Sequence, residues 1–446
     1  MTMDRRAYLH RTFSCTCGET HHVPVRRIDI GAGLLPRLPA LLHDVGCHGR
    51  GVLVADETTW EVAGQRIEAL HITALHTHVI PSAHPHADRV TADMVTAAVA
   101  NAQYLISCGS GTVTDLVKYA AHRHQIPFVA VATAPSMNGY MSGIVALTDK
   151  GLKTTVPVTP AVALLADTDI VCHAPLPMLQ AGLGDLVSKP VCNADWRLAS
   201  LVRGEPFCAL PFQMIADLEA IYLPQAGAIP SRSPAVIAAL IEAIAYSGIS
   251  MVMAGSSAPA SGGEHLISHV LDMDAERAHQ PLRDFHGTQV GVATLLTARL
   301  YDAFLTTPRD RIDWGHARHN WQPLEAHASA LRARWGRAGD SVVAAFARKH
   351  PTSHVAHAAE IALLESQWET LQAAVTPFVV NTPAIAVALA AAGAKTRYEA
   401  LGLTREAFTR TILDARFIRD RYTILDLLDT VGLLNSTVAA VLQGRG

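Results

Sequence analysis

The sequence has neither an excess of charge of one sign nor much charge in total. Lysine and arginine number 36, aspartate and glutamate number 39, and charged residues make up 17% of the 446 residues. A nucleic-acid-binding surface or an acidic tail would appear as a strong imbalance or as a run of like charges. The composition therefore favours a soluble globular protein without a nucleic-acid partner.

Cysteine is scarce, and no secretory signal is evident. The seven cysteines are an odd number scattered over the sequence, and the opening residues are followed by His10 and Arg11 rather than by an apolar run. A disulfide framework is typical of secreted chains with paired cysteines. We therefore expect reduced thiols and a cytoplasmic location.

Long hydrophobic runs are few as well, and the most lipid-like of them covers residues 235–255. This run is about long enough to cross a bilayer. Glu242 near its middle, Gly248 and the absence of basic residues on both flanks favour a buried helix instead. We therefore expect no membrane insertion.

The length indicates two or three domains, and the pattern of apolar residues changes once. In the first part, short runs predict strands that alternate with helices. These runs are residues 27–30, 51–56, 104–108, 127–132, 153–160, 161–167 and 170–172. From about residue 175 the spacing is helical, with breaks near Arg419 and Gly432. The sequence thus predicts an α/β domain at residues 1–175 and a helical domain at residues 176–446.

Cysteine and histidine are concentrated near the N-terminus, where Cys15, Cys17, His21 and His22 fall within eight residues. These residue types would suit a small zinc site. Their spacing fits none of the standard zinc patterns, however, so a hairpin at the edge of the chain is the favoured interpretation.

A second histidine-rich segment covers residues 76–86. Four imidazoles lie close together there, but Pro81 and Pro85 interrupt the regular geometry that a shared face would need. A strand followed by a surface loop is favoured over a metal site.

Glycines follow the predicted strand 104–108 and precede a helical stretch. Gly109 and Gly111 would let the backbone approach a pyrophosphate, whose charge the free N–H groups of the helix would stabilise. The third glycine of the dinucleotide fingerprint is replaced by Thr114, so this pattern is weak without its strand-helix-strand context. The loop at residues 133–142, after the next strand, has the small polar residues needed to wrap a nicotinamide; otherwise it is an ordinary turn.

Asp56 ends the predicted strand 51–56, at the edge where doubly wound sheets bind ligands. Its carboxylate would accept hydrogen bonds from a ribose and repel a ribose 2′-phosphate, which favours NAD. A solvated loop aspartate is the alternative.

One acid and two imidazoles are candidates for a divalent metal site. Asp185 follows two glycines, and His265 and His286 lie in other polar segments. Three ligands leave one coordination position free, which is typical of a catalytic metal. On a helix, His269 would share a face with His265 and could contact a substrate or move a proton. Among 23 histidines, chance spacing is the alternative.

Six motifs, in this order, resemble those of the sn-glycerol-1-phosphate dehydrogenase family, within the superfamily of iron-containing alcohol dehydrogenase, glycerol dehydrogenase and dehydroquinate synthase. They are Cys15-x-Cys-Gly-x-x-His-His-x-Pro, Gly109-Ser-Gly-Thr with Asp115 and Lys118, Thr133-Ala-Pro-Ser-Met, Ala181-Gly-x-Gly-Asp-Leu, Ser261-Gly-x-Glu-His and Phe285-His-Gly. The resemblance covers residues 15 to about 300, and no motif is recognised after Leu300.

The resemblance implies a dehydroquinate synthase-like fold, with an α/β NAD(P)-binding domain followed by an all-α domain. It implies that Asp185, His265 and His286 bind one divalent metal, zinc or in some members nickel. It also implies that Asn138, Asp185 and His269 contact the substrate, with Asp185 and His269 as catalytic residues. The cofactor contacts that it implies are Gly109, Ser110, Gly111, Thr112, Val113, Thr133, Ala134, Pro135, Ser136 and Ser142.

Two residues depart from the family pattern. Asn138 stands where the family usually has aspartate, and its amide can accept a hydrogen bond but carries no charge. We therefore expect either weaker binding of the same substrate or a related substrate. Pro190 is also less usual, and we expect it to shorten the helix that presents Asp185.

The resulting hypothesis is a metal-dependent, NAD(P)-linked dehydrogenase that interconverts dihydroxyacetone phosphate and sn-glycerol 1-phosphate, or a closely related phosphorylated ketone and alcohol. A role in phospholipid biosynthesis and a homo-oligomeric state are expected. The alternatives are a dehydroquinate synthase-like lyase that uses NAD transiently and a nucleotide-binding regulator without catalysis. The sequence leaves open the choice of NAD or NADP and of zinc or nickel.

Overall fold

The structure, a computed structural model, describes residues 3–149, 151–379 and 381–444. The strands are β1 (Arg11–Ser14), β2 (Thr20–Val23), β3 (Arg27–Gly31), β4 (Gly51–Asp56), β5 (Leu75–Ile80), β6 (Tyr104–Gly109), β7 (Phe128–Ala132), β8 (Ile144–Asp149), β9 (Leu152–Pro157) and β10 (Ala163–Asp167). The helices of the first part are α1 (Leu38–Asp44), α2 (Glu57–Thr59), α3 (Gln65–Glu68), α4 (Arg89–Ala98), α5 (Gly111–His124) and α6 (Thr168–Val171).

The described residues of the second part form helices joined by turns and loops, with no strand among them. Its helices are α7 (Leu176–Leu186), α8 (Lys189–Arg203), α9 (Leu210–Tyr222), α10 (Pro234–Ala254), α11 (Gly263–Arg277), α12 (His286–Thr306), α13 (Trp314–His319), α14 (Leu324–Trp335), α15 (Gly339–Ala347), α16 (His354–Val379), α17 (Thr382–Ala391), α18 (Arg405–Ala415), α19 (Ile424–Thr430) and α20 (Leu434–Leu442). The predicted α/β part followed by a helical part is confirmed.

A six-stranded parallel sheet organises the first part, in the order β3-β10-β7-β6-β4-β5. Alternate residues enter different cores, with Leu53 and Ile106 on one face and Val54 and Leu105 on the other. Because both faces are covered, the central strands are continuous apolar runs rather than alternating ones. This pattern is why the sequence predicted them correctly.

The two parts of the chain share one hydrophobic core. The core on one face of the sheet includes Val54 and Leu105 together with Leu240 of α10 and Ile385 of α17. A division near residue 175 therefore marks a change of secondary structure but not a gap in packing. The division into two domains remains our proposal.

Residues 170–172 are not a strand, and that prediction is wrong. Residues 168–171 form α6, and the side chain of Asp167 caps it by accepting a hydrogen bond from the Asp169 N–H at 3.0 Å. An apolar run of three residues has no measurable period, so it cannot distinguish a strand from a helical turn.

Two antiparallel hairpins flank the main sheet. The first, β1 with β2, confirms the hairpin predicted around Cys15 and Cys17. The second pairs β8 with β9, and β8 was not predicted. His76 and His78 lie in β5, whereas His84 and His86 lie in the loop after it. The groups of described residues that could hold a metal do not include these four histidines.

Two helical stretches are long and apolar enough to cross a membrane by length and composition, which is weak support for a membrane location. The apolar window of α10 is 83% buried inside the fold, as expected for a core helix. The other candidate comprises α16 and α17, and its apolar window is 35% buried.

Candidate active site

The backbones of α7 and α12 are in direct contact. A Cβ atom added to Gly184 would lie 2.2 Å from the carbonyl oxygen of Gly287, and one added to Gly287 would lie 1.9 Å from that of Ala181. No side chain fits at either position, so the glycines permit the close approach. Asp185 and His286 are the neighbours of these glycines, and the crossing therefore brings the acid and the imidazole together.

The loop after β7 packs against the same part of α7. A Cβ atom on Gly182 would lie 1.7 Å from the carbonyl oxygen of Pro135. The Asn138 backbone N–H donates to Asp185 Oδ2 at 2.7 Å, and its side-chain amide lies 3.3 Å from Asp185 Oδ1. The α/β part thus contacts the acid directly through the loop at residues 133–142.

His265 lies in the first turn of α11. Its Nε2 atom is 3.3 Å from Asp185 Oδ1, and its Nδ1 atom is 2.7 Å from Glu264 Oε1. A carboxylate that accepts a hydrogen bond from Nδ1–H directs Nε2 towards the acid, where a metal ion would replace the Nε2 proton. Glu264 therefore orients His265 as a metal ligand would be oriented.

A chain of hydrogen bonds orients His286 in a similar way. Ser268 donates its hydroxyl proton to Gln289 Oε1 at 2.8 Å, and its oxygen lies 3.1 Å from His286 Nδ1. The oxygen therefore accepts from Nδ1–H, which leaves the lone pair on Nε2. Gln289 is fixed in turn by Asp272, whose other carboxylate oxygen is 2.6 Å from Lys153 Nζ.

The structure brings Asp185, His265 and His286 together, since one ligand atom of each lies within 4.8 Å of the others. Ligands at about 2.0–2.2 Å from a tetrahedral zinc lie about 3.2–3.6 Å from one another. The distance of 3.3 Å between Asp185 Oδ1 and His265 Nε2 falls in this range. The arrangement suits one divalent ion, and the role of these residues as ligands stays a prediction.

The protonation states of two of these groups suit metal binding. Burial raises the pKa of the Asp185 carboxyl, but the Lys189 ammonium 3.7 Å away and His265 lower it by more, so that the pKa lies below its usual value. Desolvation, with the nearby His265 and Lys153, lowers the pKa of His286 to about 3. The acid is therefore ionised and this imidazole neutral at neutral pH, as ligation requires.

His269 follows His265 by one helical turn on α11. Its Nδ1 atom is buried without a hydrogen-bond partner among the described residues. Its ring stacks on that of His286, with centroids 5.9 Å apart. Buried polar atoms are usually paired, so this nitrogen is available for a hydrogen bond to a bound group.

The two segments predicted to bind the cofactor lie at the carboxyl ends of neighbouring strands. Gly109 ends β6, and the residues up to Val113 form the start of α5, whose first N–H groups have no partner within the helix. The Thr133 N–H donates to the Gly109 carbonyl at 3.1 Å, so the loop after β7 adjoins this turn. Met137 from that loop lies against Gly111.

Lys118 of α5 holds the C-terminal end of the loop at residues 133–142. Its buried ammonium donates to Ser142 Oγ at 2.9 Å, to the Ile144 carbonyl at 3.0 Å, to Asp115 Oδ1 at 3.1 Å and to the Gly139 carbonyl. The Ser142 hydroxyl is thus already engaged inside the protein. A contact between Ser142 and the cofactor stays a prediction.

Asp56 is not a solvated loop residue. It is 8% exposed, and its Oδ1 atom accepts a hydrogen bond from the Thr59 N–H at 2.6 Å, which caps α2. It ends β4, beside β6, at the edge where the glycine turn lies. Its contact with a ribose stays a prediction.

Sequence reasoning missed the residues that support the ligands. Lys189 could have been found, because it follows Asp185 by four residues, which is helical spacing. Pro190 was expected to shorten the helix that presents Asp185; α7 ends at Leu186, and Pro190 lies in the first turn of α8. Glu264 adjoins His265 in the sequence. Lys153 lies in β9, which was predicted as an extended run, but nothing local indicated that pairing with β8 would bring this lysine to the site.

The fold is that of the iron-containing alcohol dehydrogenases. A family model described as iron-containing alcohol dehydrogenase matches residues 29–175. A probable glycerol dehydrogenase from Sinorhizobium meliloti 1021 superimposes with a TM-score of 0.60 at 16% identity, covering 93% of this chain and 98% of its own. The glycerol dehydrogenase of Schizosaccharomyces pombe gives a TM-score of 0.59 at 16% identity, covering 95% and 92%. The helices after residue 300, in which no motif was recognised, are thus largely part of the same fold.

Sequence comparison defines the family more narrowly. The chain is 35% identical over 312 residues to a glycerol-1-phosphate dehydrogenase [NAD(P)+] of Bacillus licheniformis, covering 68% of this chain and 77% of that protein. It is 32% identical over 288 residues to a protein of the same name from Methanosarcina acetivorans, covering 64% and 80%. The chain belongs to the glycerol-1-phosphate dehydrogenase family and is an oxidoreductase, which confirms the predicted family and enzyme class.

The contact between α7 and α12 can be tested with Gly184→Ala. The added methyl group would meet the Gly287 carbonyl, which is backbone and cannot move aside, so the two helices must separate. We expect a loss of divalent-metal affinity and of turnover of about a hundredfold, since a displacement of about 1 Å can cost that much. Isothermal titration with zinc and steady-state kinetics would measure both. Gly227→Ala is the control, because its Cβ would have no neighbour closer than 3.7 Å. Wild-type metal binding by Gly184→Ala would contradict this account.

The pH dependence of metal binding offers a second test. Burial lowers the pKa of His265, but hydrogen bonds to Asp185 and Glu264 raise it by more, to above 6.5. A metal must displace this proton, so the apparent affinity should fall by up to about tenfold per pH unit as the pH drops below the raised pKa. Zinc titrations against a competing chelator would measure this between about pH 6 and about pH 8. Glu264→Gln should move the dependence to lower pH. A flat profile in the wild type would show that His265 is not the group displaced.

Proposed function

We propose that this protein is a metal-dependent, NAD(P)-linked dehydrogenase that reduces dihydroxyacetone phosphate to sn-glycerol 1-phosphate, or a closely related small phosphorylated ketone to its alcohol, reversibly. The observation that carries the proposal is the convergence of Asp185, His265 and His286 beside a loop that adjoins the glycine turn after β6. The relatives' names supply the substrate and the cofactor.

The residues present fit a divalent ion. One carboxylate and two imidazoles suit zinc and also nickel, and they leave a coordination position for a substrate oxygen. A bound ion of this kind supplies a Lewis acid that polarises a ketone oxygen. The buried, unpaired nitrogen of His269 supports a ligand at this place.

His269 holds the substrate in this proposal rather than acting as a strong acid. Burial and the nearby Arg419 and Lys153 lower its pKa far below the usual value, so the ring is neutral at physiological pH. A neutral imidazole can donate or accept a hydrogen bond, and a proton would reach the product oxygen through water held beside it. Asp185 contributes by its charge and through its contact with Asn138.

The charge around His269 supports a phosphorylated substrate. Arg419 is largely buried, and one of its guanidinium nitrogens donates to the Lys153 carbonyl at 2.8 Å. Arginine and lysine are the side chains that most often bind phosphate. We propose that these two side chains favour phosphorylated over unphosphorylated ketones.

The cofactor would lie across the carboxyl ends of β4, β6 and β7. Its pyrophosphate would meet the first N–H groups of α5, from Gly111 to Val113, where the helix dipole favours an anion. The loop at residues 133–142 would hold the nicotinamide next to Asp185. Asp56 would lie towards the ribose, and its charge favours NAD over NADP.

Cytoplasmic location, a role in phospholipid biosynthesis and a homo-oligomeric assembly complete the proposal. The composition and the family support the first two, and size-exclusion chromatography with light scattering measures the third.

The reaction can be tested with His265→Ala. Wild-type protein should oxidise NADH or NADPH with dihydroxyacetone phosphate, and the variant should lose metal and about a thousandfold or more of kcat/KM, since the ion stabilises the developing alkoxide by several kcal/mol. A panel of phosphorylated and unphosphorylated ketones, with metal content measured on the same samples, gives the result. His76→Ala, which changes an exposed imidazole, is the control. Cofactor turnover without net oxidation would favour the lyase, and full activity after chelation would refute metal dependence.

Asn138→Asp tests the departure from the family pattern. The new carboxylate would lie close to the buried Asp185, so like charges should destabilise the metal-free protein by about 2–4 kcal/mol. A divalent ion would offset this repulsion, and the metal-induced rise in Tm should exceed that of the wild type. Thermal unfolding with and without zinc measures both effects, with the exposed Asn320→Asp as control. An equal metal-induced rise in Tm in Asn138→Asp and in the wild type would contradict the proposed placement of residue 138.

A further inference from the structure

A second group of metal-binding side chains lies at the N-terminal hairpin. Cys15 and Cys17 follow β1, and His21 lies in β2, so the turn between the strands gathers all three. The turn is closed by hydrogen bonds from the Cys15 N–H to the Glu19 carbonyl and from the Gly18 N–H to the Cys15 carbonyl. Cys208, just before α9, completes the group from the helical part of the chain.

The four ligand atoms lie within 4.8 Å of one another. The sulfur atoms of Cys15 and Cys208 are 3.6 Å apart, and His21 Nε2 lies 3.4 Å from Cys17 Sγ and 3.5 Å from Cys208 Sγ. A tetrahedral zinc with Zn–S of about 2.3 Å and Zn–N of about 2.05 Å requires about 3.8 Å between sulfurs and about 3.6 Å between sulfur and nitrogen. The observed separations are within about 0.2 Å of these values.

The imidazole is already in the state that ligation needs. His21 Nδ1 lies 2.8 Å from the Met253 carbonyl, which can only accept, so Nδ1 carries the proton. The Nε2 lone pair therefore points at the three sulfurs. This second contact of a ligating histidine is typical of metal sites. Thiols are weak hydrogen-bond donors, and three of them around one nitrogen would stabilise the protein little without an ion.

We propose that Cys15, Cys17, His21 and Cys208 bind a structural zinc ion that is separate from the catalytic one. Three thiolates and one imidazole fill all four positions, so no place remains for a substrate. The site is independent of the reaction proposed above, and sulfur ligands select zinc over magnesium or calcium.

The ion would connect distant parts of the chain. Cys208 follows His21 by 187 residues, and Met253 belongs to the last turn of α10. The segment between α10 and α11, which leads to His265, starts directly after that turn. Zinc would thus hold the hairpin, the start of α9 and the end of α10 together, and fix the entry to α11.

Wild-type protein gives the first test, because no variant needs to fold. Metal analysis of protein purified without chelator, with X-ray absorption at the zinc edge, should show a zinc bound by three sulfurs and one nitrogen. Reconstitution with cobalt should give a thiolate-to-cobalt charge-transfer band, which the Asp185, His265 and His286 set has no sulfur to produce. Absence of both signals would overturn the proposal. So would a disulfide, seen as two fewer titratable thiols than the seven in the sequence.

Variants then separate the two sites. Cys208→Ser should lose one equivalent of metal, the cobalt–thiolate band and part of the thermal stability, while His265→Ala should lose the other equivalent and keep the band. Cys172→Ser changes a buried cysteine outside the cluster and should retain both ions. Unchanged metal content in Cys208→Ser, or loss of the band in His265→Ala alone, would refute a separate sulfur site.

Discussion

The contact between the backbones of α7 and α12 is the constraint on which the candidate active site depends. Gly184 and Gly287 remove the side chains that would keep the helices apart, and Asp185 and His286 occupy the adjacent positions. A site assembled in this way is only as accurate as the helix packing, which a close-packed interior holds within narrow limits. The third residue of the candidate site, His265, approaches from α11, and a hydrogen bond to Glu264 orients its ring.

Burial of an acid at the centre of the protein would ordinarily favour its neutral form. Here Lys189, one helical turn away, and two donors from Asn138 stabilise the carboxylate. Desolvation, with His265 and Lys153 nearby, keeps His286 neutral. A charged acid and an uncharged imidazole are therefore stabilised side by side by different neighbours.

Much of the architecture was predictable because it depends on local patterns. The central strands β4, β6, β7 and β10 are buried along their whole length and mostly apolar, which is typical of a sheet covered on both faces. The last residues of the α/β part were misread, since α6 is too short to show a helical period. β8 escaped notice because only some of its residues are buried.

The site was less accessible to sequence reasoning, because its members meet through tertiary packing. The spacing of His265 and His269 indicated a shared helix face, but nothing local placed Asp185 or His286 beside them, and the resemblance to a family supplied that link. The N-terminal cysteines show the opposite outcome. Their spacing favoured a plain hairpin, which is present, while the residue that completes the four-ligand cluster lies far away at Cys208.

Lys118 connects the proposed cofactor-binding turn with the loop that contacts Asp185. It belongs to α5, the helix that begins at the glycine turn, and its ammonium holds the loop from Gly139 to Ile144. Separating a buried ammonium from several acceptors costs much free energy. We therefore expect α5 and this loop to move together. That loop also contacts Asp185 through Asn138. In the function proposed above, a dinucleotide bound at the start of α5 would therefore be linked through Lys118 and Asn138 to the position of Asp185.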